Sequence, residues 1–454
     1  MAEVVICGAG IAGIAAAYEL AVVGGLKDIL LVDRQAPLSL TSDKSTEAYR
    51  NFWPGPDGAM IALINRSIDR LETLAIRTGN AFAMNRRGYL FASADPARIA
   101  AWEVAAAQAA ELGAGPLRVH VRGADPGRTY SPNPAHSTDF ASNGADLILD
   151  PDLIRAHFPF LTRDAQAVLH VRRAGWLSAQ QLGRILLEAA LFAGVEFRQD
   201  EVVAVELSGG KVAGVQLRSA GQILCQAFIN AAGPHLARVA ELVGQQLPIF
   251  NELHMKVSIA DTLTALPRHA PLVIWSDPQS LEWTPAERTM LEDDPDLRHL
   301  LAPLPGGAHL RPDGEDASQV VLMLWEYHTP PVEAIFPIPE DLIYPEIVLR
   351  GMAGWIPAMR PYLQRMPRPF VDGGYYTKTR ENRPLACRIG PPGSFIIGGL
   401  SGFGIMASLG LAELLRNQLL GGRSLDFQPA FEITRYEDPA YLKRLENWGE
   451  SWQL

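Results

Sequence analysis

Apolar residues near the start of the chain form two short continuous runs separated by a helical segment. Residues 4–6 form an apolar run typical of a strand, residues 11–23 an alanine-rich helical segment, and residues 29–32 a second apolar run. Continuous apolar strands are buried on both faces, and a helix between two of them is typical of a βαβ unit. The beginning of the chain therefore predicts an α/β fold with a parallel sheet.

Further along the chain, segments with helical periodicity alternate with short strands. Residues 58–79 are amphipathic, with Ile61, Ile64, Ile68 and Leu71 on one face. The other predicted helices are 95–112, 178–193, 340–356 and 405 to about 419. The other predicted strands are 88–92, 195–197, 202–207, 212–217, 223–230, 320–327 and 394–399. Residues 202–217 predict a hairpin, because a Gly-Gly turn separates the two strands.

Two long segments depart from this alternation. Residues 113–148 are rich in Gly, Pro, Ser and Asn and show no clear period, which predicts a long irregular excursion. Residues 246–370 contain strands interrupted by many prolines. A chain of 454 residues is long enough for two domains, and the change of pattern favours a second one.

Composition and charge narrow the classes of function. The formal net charge is −10 with no basic block, which argues against a nucleic-acid partner. No apolar run reaches the ~18 residues of a membrane span. Cys7, Cys225 and Cys387 are widely spaced in apolar or Gly-rich sequence, so we expect buried thiols, no disulfides and no metal site. Strand sequence begins at once and leaves no removable leader, which predicts a cytoplasmic protein.

The turn after the first predicted strand carries a dinucleotide-binding motif. Gly8-Ala9-Gly10-Ile11-Ala12-Gly13 matches G-x-G-x-x-G between a strand and a helix, and Asp33 follows 20 residues after Gly13. Gly8 permits the tight turn, Gly10 lets the backbone approach a pyrophosphate, and Gly13 allows close helix–strand packing. The Asp33 carboxylate is expected to accept hydrogen bonds from ribose hydroxyls, which disfavours NADP.

A second glycine-rich turn near the C-terminus distinguishes FAD from NAD. Gly402-Phe403-Gly404-Ile405-Met406-Ala407 again lies between a predicted strand and a helix. Too few residues follow for another nucleotide-binding unit, so we interpret this turn as a helix N-terminus directed at an anionic group. A reduced flavin carries negative charge at its N1–C2=O edge, and a helix N-terminus stabilises such charge.

These motifs, with 41–50, 176–194, 228–233 and 374–404, together resemble the superfamily of D-amino-acid oxidase, sarcosine oxidase and glycine oxidase. Residues 374–384 are similar to its Thr-x-Asp-x-x-Pro stretch, with Glu381 in place of the acid. The resemblance implies a Rossmann-like FAD-binding domain and a second, α+β substrate domain built on a mainly antiparallel sheet. The implied FAD-binding domain comprises residues 1–87, 149–246 and 371–454, and the substrate domain residues 88–148 and 247–370.

The resemblance also implies which residues contact FAD. Asp33 would hold the adenosine ribose, Val202 would meet the adenine, the 41–50 loop would border the isoalloxazine ring, and Gly402 and Gly404 would present N–H groups to the pyrimidine edge. The predicted cofactor-binding residues are Gly8, Gly10, Ile11, Ala12, Gly13, Asp33, Arg34, Ser42, Lys44, Ser45, Arg50, Val202, Ala232, Gly233, Gly399, Gly402, Phe403, Gly404 and Ile405.

The chain departs from the family pattern at positions that affect covalent attachment of the flavin and its reaction with oxygen. Gly374 stands where monomeric sarcosine oxidases attach FAD through cysteine, and Ser45 where dimethylglycine dehydrogenases use histidine, so we expect non-covalent FAD. Met406 and Met323 stand near the positions of two lysines of sarcosine oxidases. We therefore expect slow reaction with oxygen, although Lys44 or Lys256 could replace these cations. The electron acceptor remains open between oxygen and a quinone or electron-transfer protein, and so does the oligomeric state.

Oxidation of an amine by flavin requires substrate positioning more than acid–base groups. The predicted catalytic residues are Arg50, Lys256 and Arg383, with Arg380 as a further candidate to bind a carboxylate. Trp325, Glu326, Tyr327 and His328 follow a predicted strand and are candidates to wall the substrate pocket. No sequence signature of a metal protease or a serine hydrolase is present.

The leading hypothesis is an FAD-dependent oxidoreductase that oxidises a C–N bond of a small amino acid or a secondary or tertiary amine. Two alternatives stay open. A 2-hydroxyacid or glycerol-phosphate dehydrogenase would need a base for the hydroxyl proton, for which His254 and His328 are candidates. A non-catalytic FAD-binding subunit of a complex is the third possibility, because a fold alone does not fix function.

Overall fold

The computed structural model describes residues 2–53, 55–123, 130–134, 140–314, 317–446 and 448. The strands are β1 (Val4–Cys7), β2 (Ile29–Asp33), β3 (Ala48–Arg50), β4 (Tyr89–Ser93), β5 (Leu117–His120), β6 (Ala145–Ile148), β7 (Ala167–Val171), β8 (Ala174–Trp176), β9 (Glu196–Gln199), β10 (Val202–Ser208), β11 (Lys211–Leu217), β12 (Gly221–Leu224), β13 (Ala227–Asn230), β14 (Ile249–Ala260), β15 (Leu272–Trp275), β16 (Ala308–Pro312), β17 (Val320–Leu324), β18 (Pro331–Val332), β19 (Phe370–Thr379), β20 (Leu385–Arg388) and β21 (Ser394–Gly398). The α-helices are α1 (Ile11–Tyr18), α2 (Ala59–Arg77), α3 (Pro96–Ala109), α4 (Pro151–His157), α5 (Ala179–Phe192), α6 (Leu236–Glu241), α7 (Pro285–Asp293), α8 (Tyr344–Trp355), α9 (Gly404–Leu420) and α10 (Pro439–Glu446).

The first sheet contains the predicted βαβ unit. Its strand order is β20-β21-β13-β1-β2-β9, and all neighbours are parallel except β20 and β21. Strand β1 lies between β2 and β13, so the chain adds β2 on one side of it and, much later, β13 on the other. A ligand site is expected at the carboxyl ends of such strands. The α/β fold with a Rossmann-like domain is confirmed.

A three-stranded antiparallel sheet of β10, β11 and β12 contains the predicted hairpin. The prediction of one continuous strand at 223–230 is wrong, because β12 pairs with β11 whereas β13 pairs with β1. The chain changes sheets at Cys225, whose N–H donates to the carbonyl of Ala213. The apolar residues continue through this crossing without Gly or Pro, so the pattern gave no sign of it.

The second main sheet is mixed but mainly antiparallel, with strands in the order β18-β14-β17-β16-β15-β4-β7-β6-β5 and β19 beside β14. Strands β5 and β6 lie within residues 113–148, so the prediction of an irregular excursion is wrong there. Residues 124–129 and 135–139 of that segment lie outside the described part of the chain. The predicted strand 320–327 ends at Leu324, and the predicted helix 340–356 begins at Tyr344.

Helices cover the first sheet, and α9 packs against α1 and α2. The helices α2 and α9 approach closely at Gly410, where a Cβ atom would lie 2.9 Å from a methyl carbon of Leu63. Strands β7 and β19 belong to the second sheet although they lie in ranges assigned to the FAD-binding domain from the sequence. The exact domain bounds therefore remain a prediction. No helix in the described ranges is long and apolar enough to span a membrane.

Candidate functional site

A cavity of about 590 Å³ opens at the carboxyl ends of β1, β2 and β13. It is bounded by the turn after β1, the 38–45 loop, the start of β10, the end of β19 and the turn before α9. The predicted cofactor residues that line it are Gly8, Gly10, Ile11, Ala12, Asp33, Arg34, Ser42, Ser45, Val202, Ala232, Gly233, Gly399, Gly402, Gly404 and Ile405. The fold thus brings residues from widely separated parts of the chain to one cavity.

The turn after β1 requires glycine for steric reasons. Gly8 has a φ of +113°, and a Cβ atom there would lie 2.3 Å from the carbonyl oxygen of Ala231. At Gly13 a Cβ atom would lie 1.8 Å from the carbonyl oxygen of Gly8. Gly13 itself does not line the cavity, and it acts by letting α1 pack closely against the turn.

Asp33 and Ser42 hold this turn in place. One Asp33 carboxylate oxygen accepts a hydrogen bond from the N–H of Ala9 at 2.7 Å, and the other from the N–H of Gln35 at 2.9 Å. The Ser42 hydroxyl accepts from the N–H of Ile11 at 2.9 Å. Gly10 supplies no side-chain cap to α1, so the helix start faces the cavity with N–H groups suited to a phosphate.

At the end of the cavity beside β10, the predicted residue Arg34 lies among residues that sequence analysis missed. Arg34 lies 2.9 Å from His235 Nε2, and both line the cavity with Glu201, Arg238 and Leu242. Burial and the neighbouring arginines lower the pKa of His235, which favours its neutral form. No motif marks these residues in the sequence. One indirect signal for this region was present in the sequence, the prediction that Val202 at the start of β10 meets the adenine.

The opposite end of the cavity is formed by the turn before α9. Gly402 has a φ of +84°, and a Cβ atom there would lie 2.7 Å from the ring of Tyr376. Helix α9 has no side-chain cap at its start, so its N–H groups can meet an anionic ligand edge. Together with the α1 turn and Asp33, this set of donors and acceptors fits FAD with its flavin at Gly402.

Three other predicted cofactor residues do not line the cavity. Phe403 packs edge-on against Trp53, with ring centroids 4.5 Å apart. Lys44 forms an ion pair with Asp372 at 2.8 Å, close to Gly374. The third is Arg50, which lies behind the cavity wall.

Arg50 is buried, with 2% of its surface exposed, and its guanidinium lies 4.5 Å from the Trp53 ring centroid and 5.5 Å from that of Tyr89. Burial lowers the pKa of Arg50, while the Tyr89 hydroxyl and the Glu326 carboxylate oppose that effect. Because Trp53 contacts Phe403, this cation lies one aromatic ring behind the Gly402–Gly404 turn.

The other predicted catalytic residues are located differently. Lys256 donates to the carbonyl oxygens of Asp43 and Ser45, and burial lowers the pKa of its amine. Arg383 pairs with Asp57 and stacks on Trp448 away from the cavity lining, and Arg380 is exposed. The structure therefore brings Arg50 and Lys256 toward the flavin end but not Arg383 or Arg380.

A buried charged network lies behind Tyr376. His254 is stacked on the Tyr376 ring, with centroids 4.0 Å apart and planes at 16°. Its Nδ1 lies 2.7 Å from Glu326 and its Nε2 2.9 Å from Glu252, which also accepts from Lys378 at 2.9 Å. Glu326 was predicted only as a possible pocket wall, and its pairing with His254 was missed.

The charges of this network stabilise one another. Burial disfavours charge on His254, but the carboxylates of Glu326 and Glu252 outweigh it and raise the pKa of His254. Burial likewise raises the pKa of a carboxyl group, but His254 outweighs it and lowers the pKa of Glu326 to about 2. His254 is therefore a cation with both ring N–H groups donated to carboxylates. His328, the other histidine considered as a base, is exposed and lies beside His299.

Glu381, at the position of the acid in the family stretch, is held by residues of the C-terminal segment. Its carboxylate accepts hydrogen bonds from Arg435 at 3.0 Å, Tyr436 at 2.8 Å and Tyr441 at 2.9 Å. These contacts attach the C-terminal segment to the turn after β19. Within the described ranges, no group of three or more His, Cys, Asp or Glu side chains is arranged to hold a metal ion.

The chain was compared with known proteins. The model of the FAD dependent oxidoreductase family matches residues 3–418. L-proline dehydrogenase from P. horikoshii superposes with a TM-score of 0.72 at 17% identity, covering 96% of this chain and 98% of that one. Iminodiacetate oxidase from Chelativorans sp. BNC1 gives 0.69 at 17%, covering 95% and 98%. L-amino acid deaminase from Proteus vulgaris gives 0.69 at 17%, covering 96% and 97%. No significant match to a curated protein sequence was found. At these identities the solved structures establish the shared fold.

Proposed function

The chain belongs to the family of FAD-dependent oxidoreductases, and from this we propose that it oxidises the C–N bond of a small amino acid or N-alkyl amino acid. FAD is the cofactor of the family. When bound, FAD would supply the hydride acceptor for oxidation of the carbon next to the nitrogen, and water would hydrolyse the oxidised amine.

The observation that carries this proposal is the position of Arg50, a buried cation behind the wall of the cavity at its flavin end. A guanidinium binds a carboxylate through two parallel hydrogen bonds and keeps its charge at every working pH. The names of the similar structures also favour this class, since proline, iminodiacetate and L-amino acids all carry a carboxylate next to a C–N bond.

The remaining residues position and enclose the substrate. Tyr376 contributes an aromatic wall at the flavin end, and Trp53 and Phe403 pack against each other next to the Gly402–Gly404 turn. Apolar walls of this kind exclude water and strengthen charge interactions. The N–H groups at the start of α9 favour negative charge on the pyrimidine edge of the cofactor. We further propose that FAD is bound without a covalent link, because neither Gly374 nor Ser45 offers a cysteine or histidine side chain for attachment.

The network around His254 weighs against the 2-hydroxyacid alternative. A base that removes a hydroxyl proton needs a free lone pair. Both nitrogens of His254 face carboxylates, and the imidazole is held in its protonated form. His254 is therefore unsuited to act as the base of a hydroxyacid reaction.

Anaerobic reduction of the bound flavin tests the proposed function. The holoenzyme is mixed without oxygen with primary amino acids, N-alkyl amino acids, simple amines and 2-hydroxy acids, and loss of the flavin absorbance is recorded. We expect bleaching by at least one amino acid and none by its hydroxy analogue. Bleaching by hydroxy acids alone would favour the alternative reaction, and no bleaching by any class would favour a non-catalytic subunit.

A further inference from the structure

The two carboxylate oxygens of Glu326 have different surroundings. Oε1 accepts the hydrogen bond from His254 Nδ1 at 2.7 Å. Oε2 makes no hydrogen bond to any residue in the described ranges, and it is accessible to solvent. The Glu326 side chain is half-buried and keeps 18% of its surface exposed. One oxygen of an interior carboxylate therefore faces open space.

This open oxygen belongs to a group that stays charged. His254 holds Glu326 ionised, and Glu252 and Lys378 complete a network of two carboxylates and two cations. A buried carboxylate without such compensation would take up a proton instead. Glu326 can therefore offer a full negative charge to a ligand without an additional proton-transfer step.

The network adjoins the flavin end of the cavity through Tyr376, although its charged residues do not themselves line that cavity. Tyr376 lines the cavity next to Gly402, and His254 is stacked directly on the Tyr376 ring. The Glu326 carboxylate acts through its charge on the pKa of both Tyr376 and Arg50, so it lies within electrostatic range of both side chains. A negative and a positive group thus occupy the same region, where the proposed function requires the substrate.

We propose that Glu326 is a specificity-determining residue whose Oε2 accepts a hydrogen bond from the substrate amine while Arg50 binds the substrate carboxylate. This inference rests on the proposed function and adds to it the group that recognises nitrogen. His254 is a positioning residue, because it fixes Oε1 and thereby directs Oε2 toward the substrate.

Such a pair of charges selects an amino acid over its oxygen analogue. A zwitterionic amino acid presents an ammonium to Glu326 and a carboxylate to Arg50, so each charge of the ligand meets a group of opposite sign. A 2-hydroxy acid or cyclic ether acid presents the same carboxylate but no positive charge. It offers no positive partner to the open oxygen of Glu326, so the charge-assisted hydrogen bond that the amino acid makes there is lost.

Matched ligand pairs test this selection on the holoenzyme. The pairs are proline with tetrahydro-2-furoate, alanine with lactate, and glycine with glycolate, which differ at the nitrogen position. Dissociation constants come from the change in the flavin spectrum for oxygen analogues, and from the concentration dependence of anaerobic reduction for amino acids. We expect Glu326→Gln to weaken binding of the amino acid by about 30-fold or more. Binding of the oxygen analogue should stay equal or become tighter.

Two comparison variants separate direct contact from general disturbance. Glu333→Gln makes the same chemical change on an exposed residue and should leave both members of each pair unaffected. Glu252→Gln removes the other carboxylate of His254, which faces Lys378, and should change the preference between the two members much less than Glu326→Gln does. If Glu326→Gln fails to retain FAD, Glu326→Asp keeps the charge at a shorter reach and should weaken the amino acid alone.

The possible outcomes distinguish this inference from the proposed function. Equal losses for both members of a pair, or equal shifts in preference for Glu252→Gln and Glu326→Gln, would overturn the contact with nitrogen. An unchanged preference in Glu326→Gln would also overturn it, while continued reduction by amino acids would leave the proposed function standing. If no amino acid binds or reduces the wild-type flavin, both fall together.

Discussion

Among single residues, Arg50 allows the most specific test of how the substrate is recognised. Arg50→Ala should raise the Michaelis constant for a carboxylated substrate by the equivalent of about 2–5 kcal/mol, because the substrate carboxylate loses a charged partner in a buried site. An amine of the same shape without the carboxylate should be spared. Steady-state kinetics with both substrates measures the difference, and Arg423→Ala, on an exposed arginine, is the control. Equal losses for both substrates would mean that Arg50 supports only the cofactor.

The role proposed for Asp33 is tested by the affinity of the protein for FAD. Asp33→Ala should weaken FAD binding by about 1–3 kcal/mol, because a charged acceptor for the ribose is lost. The same change removes the acceptor of the Ala9 and Gln35 N–H groups, so the turn also loosens. Titration of the apoprotein with FAD measures the affinity, with the exposed Asp426→Ala as control. An unchanged affinity would place the ribose elsewhere.

Some of these residues are predictable from the sequence because local geometry demands them. Gly8, Gly13 and Asp33 have a fixed spacing that follows from a tight turn between a strand and a helix. The contact between His254 and Glu326 joins residues 72 positions apart, brought together by the pairing of β14 with β17. No local pattern encodes that register, so sequence analysis identified both residues without identifying their relationship.

Among the elements, the strands of the first sheet were predictable and those around it less so. Strands β1 and β2 are short, apolar except for Asp33 at the end of β2, and separated by a helix, which is a strong signal. In β5, by contrast, only His120 is fully buried, and the flanking Gly-rich sequence hides the strand. Only the resemblance to the family predicted that the 41–50 loop lies at the flavin. In the structure, Ser42 and Ser45 of this loop line the cavity.

The two ends of α9 provide a matched test of its role. Gly402 and Gly421 both have positive φ, at +84° and +71°. Each Gly→Ala change should cost about 1 kcal/mol of unfolding free energy for that backbone conformation. Only the Gly402 Cβ meets another group, the Tyr376 ring at 2.7 Å, whereas nothing lies within 4 Å at Gly421. Gly402→Ala should therefore also weaken FAD binding and alter the flavin spectrum. If Gly421→Ala does so equally, the effect belongs to the whole helix.

For the whole molecule, stability in acid depends on buried carboxylates, of which Asp146 is a clear case. It bonds to Arg118, His120 and Arg172, and these partners outweigh the effect of burial and lower the pKa of its carboxyl group. A carboxyl whose folded pKa is depressed stabilises the protein above its unfolded value, near pH 4, and this stabilisation is lost as the pH falls further.

Asp146→Asn should therefore reduce the unfolding free energy of the apoprotein by about 3 kcal/mol at pH 7. The deficit should shrink as the pH falls below about 4, because the wild-type carboxylate is then protonated as well. Urea unfolding at several pH values measures it. Asp152→Asn is the matched control, since Asp152 pairs with arginines on the exposed surface. A deficit that does not change with pH would show that lost hydrogen bonds, rather than charge, account for it.

The positions of cations near the cavity also predict which electron acceptor reoxidises the reduced flavin. A cation beside the flavin favours reaction with oxygen, because it stabilises the negative charge that forms on oxygen. Met323 and Met406 are buried apolar residues, and the sequence resemblance to sarcosine oxidases predicts that they replace two lysines of those enzymes. Lys44 is held by Asp43 and Asp372, and Lys256 by two backbone carbonyls while burial lowers the pKa of its amine. We therefore expect the reduced enzyme to react slowly with air in stopped-flow experiments but rapidly with a quinone or dye acceptor. Oxidase-like rates in air would contradict this, and loss of those rates in Lys44→Met or Lys256→Met would then identify the cation responsible.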